Sequence, residues 1–572
     1  MMDHLKRFCR AHGWALEAGL FLGLSLLWVL PWLLSGQTVA GNDLAFHLNR
    51  LRGLADQLRL GAPWWRVPPL STTTFMGWGY PINLFYPAVM LLPAAWLQLM
   101  AWGARGFYLY LALVTWATLA IAAWVARRLL HSRLQGVLVA LVYTFSQYRL
   151  IDFFVRGALG EGIAFAFLPL VFYGVYCIAY GDYRQWYWLA VGMAGVTLTH
   201  VLSVLLCAVG VVLFMGLWGL RRTAGWARLS RLGLATLLTL LLTASFLVPL
   251  AEQGHFLGHI GVQQYALADS AVRPGELVKN SLLTLTPTPD HLVSFGLMFW
   301  LLAGVTLLSW RKLTGVERYT FVAGWGCVWL ATSWFPWAPF QPLLGMLQFP
   351  WRFLALASFP LAVVGIRAVM VLGQPANRCE RVGLLMAIAV ITVSFQVMGN
   401  VGFYHWVQGQ PYGRGSLTLS GDYRAQSTQD PNGDYVTPRG LVALDAVRTH
   451  SLAVMNTQRN GHRLRSLRAL SRETLRTGYR YHLVSTHAQW LKLPQLGYAG
   501  YRVTVNGRAQ PLHVDGNDVV HVHVKAGRNW VTYRYHRTVL QRWSGWLSLV
   551  VWLGLLGTGS WRRWRHVNFH TK

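Results

Sequence analysis

Long apolar runs dominate the first 400 residues, and one more precedes the C-terminus. A run of about 20 apolar residues is long enough to cross the hydrocarbon core of a bilayer as a helix. The runs lie near residues 14–34, 82–102, 107–126, 134–150, 163–180, 186–202, 203–220, 231–250, 292–310, 319–335, 351–373, 382–400 and 539–560. With 54% hydrophobic and only 12% charged residues, the chain is predicted to be a polytopic α-helical membrane protein.

Basic clusters between the runs predict the topology, because lysine and arginine collect in short cytoplasmic loops. If every run crossed the membrane from a cytoplasmic N-terminus, four clusters would lie outside: 127–133, 221–222, 311–312 and 562–565. One change removes all four conflicts. The run 82–102, which Pro87 and Pro93 interrupt, then lies on or dips into the outer face instead of crossing. About 12 helices remain as spans, with both termini cytoplasmic.

Charge and motifs exclude several classes of protein. The formal net charge is +30, but most basic residues of the first 400 positions lie in loops between apolar runs, so no nucleic-acid partner is expected. The five cysteines form no CxxC or Cys/His spacing, which excludes a disulfide framework and a cysteine zinc site. No Walker loop, Rossmann glycine signature, nucleophile elbow or HExxH occurs, so no nucleotide cofactor is expected.

The runs and the polar stretches divide the chain into three regions. Residues 1–400 form a transmembrane domain with an outer loop at 36–106, and its first run is interpreted as a retained anchor, although cleavage after it stays open. Residues 401–538 alternate apolar and polar positions in "YRVTV" and "VVHVHV", which predicts a small extracytoplasmic β-sandwich. This region is basic, as an anionic glycan or lipid headgroup partner requires. Residues 539–572 form the last helix and a basic cytoplasmic tail.

The stretch "GNDLAFH" places an acid directly after the first apolar run. Asn42 is a good helix N-cap, and Asp43 in the first turn is favoured by the helix dipole. Asp43 is a candidate general base or metal ligand, with His47 one turn later. The alternative is that Asp43 only caps an amphipathic interfacial helix on which Arg50 and Arg52 are solvated.

A second acidic group lies in "QYRLIDFFVRGALGEG", at residues 147–162. Asp152, Arg156 and Glu161 stand beside a span, where acids are costly to desolvate and more often functional. The alternative is a helical ion pair between Asp152 and Arg156 with an interfacial Glu161. The sequence leaves open whether this group and Asp43 come within reach of each other.

Three further positions have both a functional and an ordinary structural interpretation. Arg352 in "QFPWRF" lies at the outer entrance of a span, where its guanidinium could bind a lipid phosphate or only snorkel to the interface. His200 in "LTHVLS" is a candidate proton shuttle or a turn histidine. His521 and His523 share one strand face but lack an evident third metal ligand.

The order of these motifs resembles a known family. "GNDLAFH", "GYPINLFYP", "RGALGEGIAFAFLPL" and "QFPWRF" resemble, in this order, the bacterial membrane proteins labelled 6-pyruvoyl-tetrahydropterin synthase-related, which look like a branch of the GT-C glycosyltransferase superfamily. The likeness covers most of residues 15–400. It implies an inner-membrane protein whose active face is periplasmic or extracytoplasmic, and no pterin cofactor.

GT-C enzymes use polyprenyl-phosphate-linked sugars and place an acid in the first outer loop. The resemblance therefore implies Asp43 and Glu161 as catalytic acids, with His47, Asp152, Arg156, His200 and Arg352 as substrate-binding residues. Asp43 is followed by Leu44, whereas many GT-C enzymes carry a pair of acids there, so a divalent metal is left open.

The implied activity is transfer of a sugar from a polyprenyl-phosphate donor to an envelope glycan, lipid or protein. The alternative is a non-catalytic protein that binds lipid-linked glycan and assists polysaccharide assembly. A transporter ranks last, because the acids of residues 1–400 lie mostly in loops or at span ends.

Overall fold

The structure is a computed structural model. It describes residues 13–40, 43–75, 81–100, 103–220, 225–258, 265–283, 293–374, 377–409, 418–420, 452–453, 466–467, 471–516 and 518–569. The chain divides into two compact units. The first comprises Met1–His47, Met100–Thr239 and Gln264–Tyr423, and the second comprises Leu48–Leu99, Leu240–Gln263 and Arg424–Lys572.

Most of the described residues lie in helices. In chain order the α-helices are α1 (Gly13–Ser35), α2 (Leu44–Arg59), α3 (Ile82–Phe85), α4 (Leu92–Leu99), α5 (Gly103–Leu130), α6 (Arg133–Thr144), α7 (Gln147–Leu150), α8 (Leu159–Ala164), α9 (Leu168–Ala179), α10 (Tyr187–Thr197), α11 (Val201–Met215), α12 (Gly225–Leu257), α13 (Leu267–Ser270), α14 (Pro274–Leu282), α15 (Leu297–Leu308), α16 (Gly315–Leu330), α17 (Gln341–Leu344), α18 (Phe353–Gly373), α19 (Arg378–Gln408) and α20 (Val539–Phe569).

The described helices confirm a polytopic membrane protein. Seven of them are long and apolar enough to cross a bilayer: Gly13–Ser35, Gly103–Leu130, Val201–Gly219, Gly225–Leu257, Pro350–Gly373, Cys379–Gln408 and Val539–Gly557. An eighth candidate is the pair Arg133–Thr144 and Gln147–Val155, which is bent by 46°. At four more predicted spans the helices α9, α10, α15 and α16 have only 12, 11, 12 and 16 residues. They are shorter than the roughly 20 residues of a straight span.

The run at 82–102 is broken into the short helices α3 and α4, with Pro87 in the break. The prediction that Pro93 also interrupts the run is wrong, because Pro93 lies in the first turn of α4, where proline is tolerated. Arg50, on α2, holds the segment between α3 and α4. Its Nη2 donates to the carbonyl oxygens of Tyr86 at 3.1 Å and Pro87 at 2.6 Å, and its guanidinium lies over the Tyr86 ring. Arg50 is thus buried rather than solvated, because it satisfies carbonyls that the broken helix leaves free.

The core of the first unit is built around α18, whose side chains are mostly buried. It packs against α6, α15 and α16. A Cβ atom added to Gly365 would lie 2.8 Å from Leu302, and one added to Gly324 would lie 2.7 Å from Leu361. Small residues therefore let these helices approach closely, as is common between membrane helices. The strands β1 (Thr38–Ala40) and β2 (Thr418–Ser420) pair antiparallel in the same unit.

The second unit contains an antiparallel β domain before the last helix, as predicted. Its strands in chain order are β3 (Leu452–Ala453), β4 (Ser466–Leu467), β5 (Ser471–Leu475), β6 (Gly478–Ser485), β7 (Gln489–Leu496), β8 (Tyr501–Val505), β9 (Arg508–Gln510), β10 (His513–Val514), β11 (Val519–Val524) and β12 (Gly527–Tyr535). They form a five-stranded sheet in the order β5-β6-β12-β8-β9, a three-stranded sheet β10-β11-β7 and the pair β3-β4. Alternate side chains of β8, β11 and β12 are buried, which is the period-two pattern seen in the sequence.

Candidate functional site

The bent segment after α6 builds the centre of the candidate site. Helix α7 runs into a π-helical turn at Ile151–Val155, where the Arg156 amide donates to the Ile151 carbonyl at 2.8 Å. Such wide turns occur mostly as single interruptions and often at functional sites. Tyr148, Asp152 and Arg156 follow one another at intervals of four residues along this segment, so their side chains project from neighbouring turns.

Glu161, at the start of α8, connects these side chains. Its Oε2 accepts from Nη1 of Arg156 at 3.2 Å and from Nε of Arg352 at 3.2 Å. Its Oε1 accepts from the hydroxyl of Tyr148 at 2.6 Å. Asp152, Arg156, Glu161 and Arg352, named here the acid–arginine cluster, are all buried. The structure thus brings together two acids and two arginines that lie up to 200 positions apart in the sequence.

The arginines keep Glu161 ionised. Burial alone would raise the pKa of this carboxyl, but the guanidiniums of Arg156 and Arg352 outweigh burial and hold the pKa well below its usual range. With three donors on its two oxygens, Glu161 is anchored in one orientation. A carboxylate so engaged fixes the two guanidiniums and is a poor proton acceptor.

Arg156 keeps donors that are free for a ligand. Its Nη1 bonds to Asp152 and Glu161, whereas its Nε and Nη2 make no hydrogen bond to any described residue. Its guanidinium lies 4.3 Å from the centre of the Trp351 ring. The Oδ2 atom of Asp152 is buried and likewise has no partner among the described residues. Free guanidinium N–H groups held by a carboxylate and an aromatic face suit an anionic ligand.

Arg352 is fixed by the turn before it. Its Nη1 donates to the Leu347 carbonyl at 2.8 Å and to Oε1 of Gln348 at 3.1 Å. Gln348 has φ of 63°, a left-handed backbone that side chains other than glycine rarely adopt. This strained turn helps to orient Arg352 toward Glu161. Strained backbone conformations are often found at functional sites.

Asp43 lies beside the cluster. Its backbone amide donates to the carbonyl oxygen of Arg156 at 3.0 Å, while the residue itself is exposed. The contact depends on Gly157, which has φ of 66° and lies so close to Leu44 that an added Cβ would be 2.5 Å from the Leu44 Cβ. The first outer loop and the second acidic segment, whose separation the sequence left open, therefore meet at this point. Asp43 is the accessible carboxylate there.

The two predicted histidines lie close by in the same unit. His47 is buried one turn after Asp43, with its ring 5.3 Å from that of Phe46. His200 precedes α11, and its Nδ1 lies 2.8 Å from Oγ of Ser203. The substrate-binding roles of His47, Asp152, Arg156, His200 and Arg352, and the catalytic roles of Asp43 and Glu161, stay predictions.

Sequence reasoning missed two members of the site. Tyr148 donates to Glu161, and Trp351 stacks under Arg156. Tyr148 stands four residues before Asp152, the helical spacing that would have placed it on the same side. Trp351 directly precedes Arg352, but no periodicity in that proline-containing loop predicts where its ring lies.

A divalent metal does not fit the acid–arginine cluster. Its two carboxylates already face two guanidiniums, so a dication would add charge beside two cations. Among the residues that the structure describes, no group of three or more His, Cys, Asp or Glu side chains could hold a metal ion.

Comparisons with known proteins add solved structures of weak similarity. No protein-family model matches the chain, and no curated protein matches it in sequence. The crystal structure of ArnT from Cupriavidus metallidurans bound to undecaprenyl phosphate has a TM-score of 0.41 and 14% identity, over 77% of this chain and 80% of that chain. The apo form of ArnT gives 0.40 and 14% over the same shares. The arabinofuranosyltransferase AftD from Mycobacteria gives 0.43 and 15% identity, over 77% of this chain and 33% of that chain.

Proposed function

We propose that this protein is a membrane glycosyltransferase, which moves a sugar from a polyprenyl-phosphate donor to an envelope glycan, lipid or protein on the extracytoplasmic face. The observation that carries the proposal is the placement of an exposed carboxylate, Asp43, next to a buried arginine with free donors, Arg156. Transfer from a lipid phosphate needs both groups: a base for the acceptor and a cation for the leaving phosphate. The order of the motifs that resemble the GT-C superfamily supports the same activity.

In this mechanism Arg156 binds the donor phosphate through Nε and Nη2. Trp351 and Glu161 hold its guanidinium in place, and Arg352 adds a second positive charge. Asp43 removes the proton from an acceptor hydroxyl. The acceptor oxygen then bonds to the anomeric carbon, and the bond from that carbon to the phosphate oxygen breaks. The negative charge that develops on the departing polyprenyl phosphate is stabilised by Arg156.

Two buried acids of the site act by holding Arg156 in place. Glu161 and Asp152 are positioning residues, because each bonds to Arg156 and neither is exposed. We assign Glu161 this role in preference to proton transfer, since both its oxygens are occupied.

Arg156→Gln tests donor binding. Purified full-length protein in detergent should bind farnesyl phosphate, and the variant should bind it at least about tenfold more weakly, because charge-assisted donors to the phosphate are lost. Isothermal titration calorimetry with farnesyl phosphate measures the affinity, and farnesol shows what the phosphate contributes. Arg128→Gln is the matched control, since Arg128 is an arginine of the same unit that lies at the exposed end of α5. Equal affinity of wild type and Arg156→Gln would refute the assignment.

The competing proposal is a non-catalytic protein that binds lipid-linked glycan and assists polysaccharide assembly. It shares the requirement for Arg156, since it also binds the lipid phosphate. It differs at Asp43, because binding alone needs no base. The effect of Asp43→Asn on glycan product therefore separates the two proposals.

A further inference from the structure

The outer face of the five-stranded sheet in the β domain carries a row of cations. Strands β6, β12 and β8 are neighbours there, and the antiparallel register places Arg534 opposite Arg502 and Thr532 opposite both Thr504 and Arg480. These five side chains project from the same face, since they alternate with buried residues along each strand. Three arginines thus lie on adjacent strands within one patch.

The patch is concave. It lines a groove of about 810 Å³, which lies within the size range of pockets that hold small ligands. The opposite face of the sheet packs into the core through residues such as Tyr479, Val503 and Tyr533. The three arginines therefore do not pack in the hydrophobic core, and core packing does not explain why three cations share one groove.

Few acidic side chains neutralise the charge of these three arginines. Arg502 and Arg534 stand directly opposite each other, and like charges in that position destabilise a sheet. Among the described residues neither bonds to a carboxylate, and Nε of Arg534 is buried without a partner. Arg480 has one acid, Glu473, at 2.8 Å. An anion bound between Arg502 and Arg534 would remove the repulsion and satisfy their N–H groups.

An aromatic platform adjoins the cations. Trp530 lies two residues before Thr532 on β12, is 47% exposed and stacks on the His482 ring at 4.3 Å between ring centres. A large exposed apolar ring beside hydroxyl and guanidinium groups suits a ligand with both an apolar face and polar edges. A pyranose ring has such a face and such edges, and Thr504 and Thr532 offer hydroxyls to its own.

We propose that this groove, formed by Arg480, Arg502, Thr504, Trp530, Thr532 and Arg534, binds an anionic glycan through its carboxylate or phosphate groups. The forked guanidiniums of Arg502 and Arg534 pair with the acidic groups, and Trp530 stacks on a sugar ring. A concave groove that carries arginine and not lysine suits a linear polyanion with shaped anionic groups better than the flat headgroup layer of a membrane. This binding is independent of the transfer proposed above.

The test uses purified full-length protein in detergent and tetragalacturonate as the carboxylated probe, with affinity measured by microscale thermophoresis. The double variant Arg502→Gln/Arg534→Gln should bind the probe at least about tenfold more weakly than wild type. The control Arg508→Gln/Lys525→Gln removes the same charge from two exposed positions outside the groove and should bind as wild type does. Arg502→Lys/Arg534→Lys should recover only part of the affinity, since lysine cannot bind bidentately.

Three outcomes would overturn the proposal. The first is equal binding of neutral maltotetraose, and the second is an equal loss in the control variant. The third is binding of phosphatidylglycerol vesicles that depends on Arg502 and Arg534 while tetragalacturonate does not bind, which would make the face a headgroup surface. A phosphorylated tetrasaccharide in place of the carboxylated one distinguishes the two kinds of acidic group.

Discussion

Glu161→Gln is expected to damage both folding and function. The substitution leaves Arg156 buried with Asp152 as its remaining carboxylate, and it removes the carboxylate that Arg352 contacts among the described residues. Removing one partner from a buried ion pair costs about 3 to 5 kcal/mol, because the other charge stays desolvated. The midpoint of thermal unfolding in detergent, followed by size-exclusion chromatography of heated samples, should fall by several degrees, and donor binding should weaken because Arg156 loses its anchor.

Two variants separate these effects. Glu276→Gln is the control for stability, since Glu276 is an exposed acid of the same unit whose pair with Arg273 spans 3.9 Å, and such pairs contribute about 0 to 1 kcal/mol. The double variant Glu161→Gln/Arg352→Met removes both partners of one buried pair and should regain part of the lost stability without regaining function. If Glu161→Gln unfolded at the wild-type midpoint and bound farnesyl phosphate normally, the cluster would not have the role assigned to it.

Asp43→Asn is expected to abolish glycan transfer while the protein stays folded. The amide keeps the shape of the side chain but cannot accept a proton, and loss of a general base typically lowers rate about 100-fold to 10,000-fold. Asp43 is exposed and its contact to Arg156 runs through the backbone, so stability should change by no more than about 0.5 kcal/mol. The measurement is the amount of glycosylated product in a deletion strain complemented with each variant at matched membrane levels.

Asp269→Asn is the matched control for Asp43→Asn. It makes the same chemical change at another exposed acid of the first unit. It should restore product as the wild type does. Full restoration by Asp43→Asn as well would remove proton transfer from this residue and favour the non-catalytic alternative.

The membrane architecture could be predicted from the sequence because hydropathy acts locally. Each predicted span overlaps a helix, and the run at 82–102 is broken at Pro87, whereas Pro93 lies inside α4. Helix length was less predictable. The run at 134–150 looks continuous, yet the structure bends by 46° between Thr144 and Gln147, and the four short helices end inside their apolar runs. Hydrophobicity predicts which residues are buried in lipid or protein, but where a helix ends depends on the elements that pack against it.

The candidate site could be predicted only in part. Asp152, Arg156 and Glu161 share one short segment, so the sequence itself singled them out. The bond between Glu161 and Arg352 joins residues 191 positions apart, and no local pattern encodes such a contact. For Arg50 the sequence suggested the wrong environment. Basic residues on an amphipathic helix are usually solvated, whereas Arg50 is buried and donates to two backbone carbonyls of a distant loop.

A glycosyltransferase of the proposed kind consumes a polyprenyl-phosphate-linked sugar. The most direct measurement is mass spectrometry of the polyprenyl-linked sugars in a deletion strain, before and after complementation with wild type. One lipid-linked monosaccharide should accumulate on deletion, and one sugar should disappear from an envelope glycan, glycolipid or glycoprotein. Complementation with wild type should reverse both changes. A lipid-linked sugar pool that is the same in deletion and complemented strains would show that the protein does not consume such a sugar.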